Sequence, residues 1–203
     1  MDELINHNIP SQYLFGVPTQ HSPLAVWVLE QILNRYRPGA IVEIGTFMGG
    51  LTTYFGTWAL NNSARVLSVD KNPKLSKSTK KHLLYLGVFL ENTDAYEPGF
   101  VRFAQTFIAH ESRNSLIYCD GGKKIKELKI YGEIAPLGSL IGCHDYGTEV
   151  IPATAETYMQ RYGYRKLIVP EQLRKLGTLQ QFWIRNGNKG KFNHSGVQPG
   201  QPT

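Results

Sequence analysis

The sequence predicts an α/β protein, a doubly wound, mostly parallel sheet of seven strands covered by helices on both faces. Three observations carry this. Short apolar runs of strand length alternate with longer segments of helical periodicity along most of the chain. The first such run ends in a glycine-rich turn that opens a helix, the signature of a ligand-binding crossover. A chain of 203 residues, 41% hydrophobic and 19% charged, can bury one substantial core but is short for two.

Residues 1 to 21 are polar, interrupted by Pro10 and Pro18, and read as an arm or cap. Ser22-Pro23 opens the first helix, with Ser22 as cap and Pro23 at the first helical position. Ala25, Val28, Leu29, Ile32, Leu33 and Tyr36 share one face of it, and Arg37-Pro38-Gly39 stops it. Strand Ala40 to Gly45 follows, then a helix from about Gly49 to Asn61. Arg65 to Asp70 is the second strand, succeeded by a Lys-rich helix to about Tyr85. Val88 to Asn92 is the third strand and Phe100 to His110 a helix. Ser115 to Asp120 is the fourth strand, before a helix from Lys123 to Ile134. Ser139 to Cys143 is the fifth, before a helix from Val150 to Tyr162. Lys166 to Val169 and Gln180 to Arg185 close the sheet, so the domain spans 22 to 186. Residues 187 to 203 hold glycines and prolines with almost nothing to bury, and read as a disordered tail.

The formal net charge is +6 and the isoelectric point near 9.3. That keeps a nucleic-acid partner open, but the positive residues are spread along the chain. Their densest run, Lys71, Lys74, Lys77, Lys80 and Lys81, reads best as a solvated helix face. Cys119 and Cys143 each end an apolar run and suit small buried hydrophobes better than a disulfide. No signal peptide or membrane span is visible, so the expectation is a cytoplasmic protein with no membrane partner, with a homo-oligomer left open.

The chemistry is densest in Glu43-Ile44-Gly45-Thr46-Phe47-Met48-Gly49-Gly50. Gly45 lets the backbone turn sharply beside a ligand, and Gly49 is expected to let the helix pack close to the strand. A dinucleotide-binding turn would read G-x-G-x-x-G, whereas here G-x-x-x-G follows an acid. Glu43 would repel a pyrophosphate but can accept hydrogen bonds from the amino group or sugar of a cationic cofactor. Asp70 ends the second strand, where an acid grips both hydroxyls of a ribose. Asp94 follows the third at a position suited to an adenine amino group. Each acid has a structural rival as a turn or helix cap.

This order of motifs resembles the class I S-adenosylmethionine-dependent methyltransferases, a Rossmann-like fold, over about residues 12 to 185. Gln20-His21-Ser22-Pro23 before a helix and then Glu43-Ile44-Gly45-Thr46 resemble the catechol- and caffeoyl-CoA-type O-methyltransferases. The resemblance implies S-adenosylmethionine at Gln20, Glu43, Gly45, Thr46, Phe47, Gly49, Asp70, Lys71, Asp94 and Asp120. It also implies an antiparallel last strand, a small-molecule hydroxyl as methyl acceptor, and a divalent cation such as Mg²⁺ on acids after the fourth and fifth strands. The matching positions are Asp120 and His144-Asp145, which are expected to converge on one cation. Lys123, three residues past Asp120, stands where the catechol-type enzymes have a lysine base; Lys124 and Lys126 beside it leave a solvated set as the rival.

Two features depart from that group. It carries Asp-Asp or Asp-Asn where this chain has His144-Asp145, and Asp120 is followed by Gly121-Gly122 rather than bulky residues. A His-Asp-Tyr ending resembles a bacterial branch of macrocin- and cephalosporin-pathway-like enzymes, in which His144 could act as a base, with Lys123 and Asp145 as the other catalytic candidates. The remaining histidines, His21 among them, have no partner spacing and receive no role. A nicotinamide-dependent oxidoreductase fails on the glycine pattern. A nucleic-acid methyltransferase fits the charge but lacks the Asn/Asp-Pro-Pro-Tyr-type signature. A non-catalytic S-adenosylmethionine-binding protein is the third alternative.

Overall fold

The computed structural model describes residues 12–111, 114–167, 169, 173 and 179–187. Two short strands, β1 (Gln12–Leu14) and β2 (Val17–Thr19), form an antiparallel hairpin ahead of α1 (Pro23–Tyr36). The main body then runs β3 (Ala40–Ile44), α2 (Gly50–Asn62), β4 (Arg65–Val69), α3 (Lys77–Tyr85), β5 (Phe89–Glu91) and α4 (Pro98–Ala109). It continues through β6 (Ser115–Cys119), α5 (Lys124–Ile134), β7 (Leu140–Cys143), α6 (Pro152–Arg161), β8 (Tyr164–Lys166) and β9 (Gln181–Arg185). Seven strands pair in the order β5-β4-β3-β6-β7-β9-β8, parallel up to β7 and antiparallel at β9. The direction of winding reverses between β3 and β6, and that reversal opens a crevice above the strand ends.

The parallel strands read as continuous apolar runs because both faces are covered. Ile41, Val66, Leu116 and Phe182 face Val28, Leu29, Leu33, Phe55 and Leu83 from α1, α2 and α3. Their neighbours Val42, Leu67, Ile117 and Trp183 face Phe107, Leu128, Tyr131 and Met159 from α4, α5 and α6. Leu29 and Leu33 have no exposed surface, and each such side chain contributes about 1.5–3 kcal/mol. Ser22 caps α1 by accepting from Ala25 N at 3.1 Å, as its sequence signal requires. Cys119 and Cys143 are buried free thiols on neighbouring strands.

The structure departs from the sequence reading in three places. The arm contains the β1–β2 hairpin, whose two-residue turn at Phe15-Gly16 has φ of 52° and 78°; only the glycine signals such a turn locally. The Lys-rich helix starts at Lys77 rather than directly after Asp70, because Pro73 disfavours helical backbone before it and Ser76 supplies the cap. The sixth strand of the sheet lies at Tyr164–Lys166, earlier than the apolar run suggests, since Gly163 (φ 78°) ends the turn after α6 and pairing with β9 begins at once. The expected tail, past Gly187, and residues 1–11 lie outside the described residues. Among the described residues no helix is long and apolar enough to cross a membrane.

Candidate functional site

The crevice above β3, β4, β5, β6 and β7 is a cleft of about 920 Å³, at the upper end of the roughly 300–1,000 Å³ of small-molecule sites. The β2–α1 segment, Pro18 to His21, forms one of its walls. Gly50 allows this, because a side chain there would strike the Pro18 carbonyl. Six carboxylates (Asp70, Asp94, Asp120, Glu127, Asp145 and Glu149) line the cleft against three lysines (Lys71, Lys123 and Lys124). A protein of net charge +6 thus has an acidic cleft, which favours a cation and opposes a pyrophosphate or nucleic-acid backbone.

At the β3–β5 end the loop Gly45 to Gly49 wraps the lining. Gly45 has φ of 107°, and a Cβ on it would lie 2.5 Å from the Asp120 carbonyl oxygen. Only glycine fits where β3 and β6 leave the sheet side by side. Phe47, at φ 45°, donates its N–H to Asp70 Oδ2 at 2.8 Å, while Asp70 Oδ1 accepts from Asn72 N. Asp94 accepts from Tyr96 N at 2.9 Å and faces Lys71 Nζ at 3.5 Å; the backbone donor at Tyr96, with help from Lys71, lowers its pKa. Gln20, Gly45, Thr46, Phe47, Gly49, Asp70, Lys71, Asp94 and Asp120 all reach this one cleft.

Two parts of the sequence reading need correction here. Glu43 is not among the cleft-lining residues. Its carboxyl is fully buried and accepts from Thr52 Oγ1 and Ser68 Oγ, each at 2.6 Å, leaving Oε1 without a partner. Burial outweighs those two bonds and, with Asp120 and Asp70 nearby, pushes its pKa up to about 8. Position 43 points under α2 because its strand neighbours take the other face. Gly49 is the cap of α2 at φ 85°, and a Cβ there would collide with Leu75 and Thr79, so its small size serves contact with α3 rather than with the strand.

At the β6–β7 end the residues are held by charge. Lys123, expected as the base, is exposed; it caps α5, and its backbone N donates to Glu127 Oε1 at 3.2 Å. Lys124 takes the buried position instead, with 8% of its surface exposed. Its Nζ lies 2.8 Å from Asp145 Oδ2, 2.8 Å from Glu149 Oε2 and 3.8 Å from Asp120 Oδ1. The cation between Asp120 and Asp145 is therefore the Lys124 ammonium. Burial opposes the Lys124 charge, but Asp145 and Glu149 overcome it and raise its pKa. Asp145 adopts φ of 56°, a left-handed conformation rare for a side-chain-bearing residue, which turns its carboxylate towards Lys124 and His144. Burial would raise the Asp145 pKa, yet His144 and Lys124 hold it far below the usual carboxylate range.

His144 Nδ1 lies 3.1 Å from Asp145 Oδ1 and 3.7 Å from Asp120 Oδ1. Burial disfavours its charged ring, but the Asp145 bond and the Asp120 charge prevail and raise its pKa. Glu127 carries no sequence signal, and His21 stands in the Gln20-His21-Ser22-Pro23 motif without a role of its own, yet both line the cleft. Glu127 accepts from Gly121 N, Lys123 N and Tyr96 OH, and a side chain at Gly121 would run into it. That collision accounts for a glycine where bulk was expected. Lys124 was legible in principle, since it stands one helical turn past Asp120, but the phase of α5 decides between it and Lys123.

The fold has solved counterparts. An apo structure of CmcI superposes with a TM-score of 0.63 at 14% identity, covering 86% of this chain and 76% of that one. A CmcI structure titled with Mg and SAM gives 0.59 at 15% identity with the same coverage. A SAM-dependent O-methyltransferase of Thermotoga maritima gives 0.58 at 14% identity, covering 85% and 69%. No curated protein matches the chain. The sequence profile of the rhamnosyl O-methyltransferase/CmcI family matches residues 8–160, well over half of the chain. The chain belongs to the rhamnosyl O-methyltransferase/CmcI family.

Proposed function

We propose that the protein transfers a methyl group from S-adenosylmethionine to a hydroxyl of a small molecule. The observation that carries this is the acidic cleft in a basic protein, with the Gly45–Gly49 turn at one end and a His-Asp-Lys cluster at the other. A sulfonium cofactor is positively charged, and the acids that would repel a nicotinamide pyrophosphate complement it. On this reading Asp70 takes the ribose and Asp94 the adenine edge, which sends the methyl group towards the Asp120 and His144 end of the same cleft. The cleft leaves room for an acceptor beside the cofactor, and the Gln20–His21 wall closes that side.

The acceptor hydroxyl loses its proton at the His144–Asp145 end. Asp145 orients the His144 ring, and the raised pKa makes the imidazole a stronger proton acceptor in its neutral form. A divalent cation fits the same end, because one ligand atom each from His21, Asp120 and His144 lies within 4.8 Å of the others. Mg²⁺ held by Asp120 and His144 would lower the pKa of a bound hydroxyl, with Asp145 joining if it released Lys124.

The test is calorimetric titration with S-adenosylhomocysteine and with NAD, followed by methyl-labelled turnover on a rhamnoside and a catechol as probes. Micromolar binding of S-adenosylhomocysteine, near −8 kcal/mol, is expected, with none for NAD. NAD binding without S-adenosylhomocysteine binding overturns the reading. Label transfer that survives EDTA and is lost in His144→Ala assigns the proton to the imidazole itself.

A further inference from the structure

His21 is 5% exposed, and a buried ring nitrogen is costly without a polar partner. Nδ1 lies 3.3 Å from Thr19 Oγ1, which fixes the ring. Nε2 is 3.0 Å from Asp120 Oδ2, the distance of an ion pair, yet it has no aligned hydrogen-bond partner. The other Asp120 oxygen faces His144 Nδ1 at 3.7 Å, and the two imidazole rings are 4.7 Å apart. Two donors at right angles on a metal with bonds of about 2.1 Å lie about 3.0 Å apart, so these separations are near those of ligands sharing one ion. Asp145 is already matched to Lys124 at 2.8 Å, and His144 Nδ1 would exchange its 3.1 Å contact with Asp145 Oδ1 for the ion, so the donor set is two imidazoles and one carboxylate.

We propose that His21, Asp120 and His144 form a two-histidine, one-carboxylate site for a first-row transition-metal dication, preferred over Mg²⁺. The proposal deepens the methyl-transfer reading by assigning His21 and the metal class at the acceptor end. Mg²⁺ favours oxygen ligands and keeps several waters, whereas imidazole suits the Co²⁺–Zn²⁺ class. The three ligands come from the β2–α1 segment and from the ends of β6 and β7, so a bound ion would also tie the wall of the cleft to the sheet.

The experiment titrates Co²⁺ into metal-free full-length protein, reading its visible absorption, and titrates S-adenosylhomocysteine into the same samples. One Co²⁺ per chain is expected, undisplaced by a hundredfold excess of Mg²⁺. His21→Ala and His21→Gln should each weaken Co²⁺ binding at least tenfold while leaving S-adenosylhomocysteine affinity within threefold, which shows that the fold and the cofactor end are intact. Unchanged Co²⁺ affinity in the better folded of the two His21 variants, or displacement by equimolar Mg²⁺, overturns the proposal. S-adenosylhomocysteine binding without any Co²⁺ signal defeats the metal site alone. Co²⁺ binding without S-adenosylhomocysteine binding supports the site and defeats the cofactor reading instead.

Discussion

The two ends of the cleft are built by different means. At the cofactor end each acid accepts from a backbone N–H of its own or a neighbouring loop: Asp70 from Phe47 and Asn72, Asp94 from Tyr96. Such bonds form with the strand ends themselves and hold the lining in place before any ligand arrives. At the acceptor end, His21 from the β2–α1 segment, Asp120 and Lys124 from the β6–α5 junction, and His144, Asp145 and Glu149 from the segment after β7 meet only through their side chains. The difference implies a division of labour. Substitutions at the first end should change affinity, and those at the second should change turnover.

The hardest blow to that division is Lys124→Met. Removing a largely buried ammonium leaves Asp145 and Asp120 facing each other with only His144 between them and costs about 3 kcal/mol of stability. Methyl transfer should fall at least about a hundredfold, the scale of lost acid–base or positioning groups. S-adenosylhomocysteine affinity, measured by calorimetry, should stay within threefold. A parallel collapse of affinity and turnover would mean that the two ends are one unit.

Beneath the cofactor end, Glu43 offers a stability test. Burial pushes its pKa up to about 8, above the 4.5 of an exposed glutamate. The sign follows directly: its contribution is complete below about pH 4.5 and is lost as pH rises through 8. The steepest loss is about 1.4 kcal/mol per pH unit. Denaturant unfolding from pH 5 to 8 should show that decline, and Glu43→Gln, which mimics the neutral acid, should flatten it. A slope that persists in the variant would place the titration elsewhere.

The same contrast explains what the sequence could disclose. The β3 strand, the Gly45 turn, Asp70 and Asp94 follow one another in register along consecutive βα units, so local pattern places them. Ser22, Pro23 and the α1 stripe were equally legible, because capping and 3.6-residue periodicity are local. His21 was not. Its partners Asp120 and His144 meet it only after the hairpin folds over α2 and the sheet closes. Lys124 was obscured by its neighbour, since a one-residue change in where α5 begins swaps the buried lysine for the exposed one. Glu43 shows the converse failure: the right residue in a recognised motif, with its side chain on the unexpected face.

Asp70→Ala sharpens the cofactor end alone. On the proposed reading, the loss of the acceptor for the ribose hydroxyls, together with that of the Phe47 N–H, should weaken S-adenosylhomocysteine by about 1–3 kcal/mol. Turnover at saturating cofactor should be nearly retained, because nothing at the acceptor end has moved. Unchanged affinity would reduce Asp70 to a loop fastener.

Lys123→Met is expected to do least, and that makes it the finest discriminator between neighbouring lysines. The Lys123 side chain is exposed at the rim of the cleft, and only its backbone N–H serves the structure, through Glu127. Methionine keeps that N–H and much of the side-chain length, so stability should change by less than about 0.5 kcal/mol. Labelled methyl transfer should stay within threefold of the parent, against a loss of at least about a hundredfold for Lys124→Met. If the two results were reversed, with Lys123→Met silent in stability but deficient in turnover, the exposed lysine would be moving onto the acceptor when substrate binds. A pH–rate profile would confirm it, because removing a base that works in the complex deletes one limb of the profile, whereas loss of a bystander leaves both limbs in place.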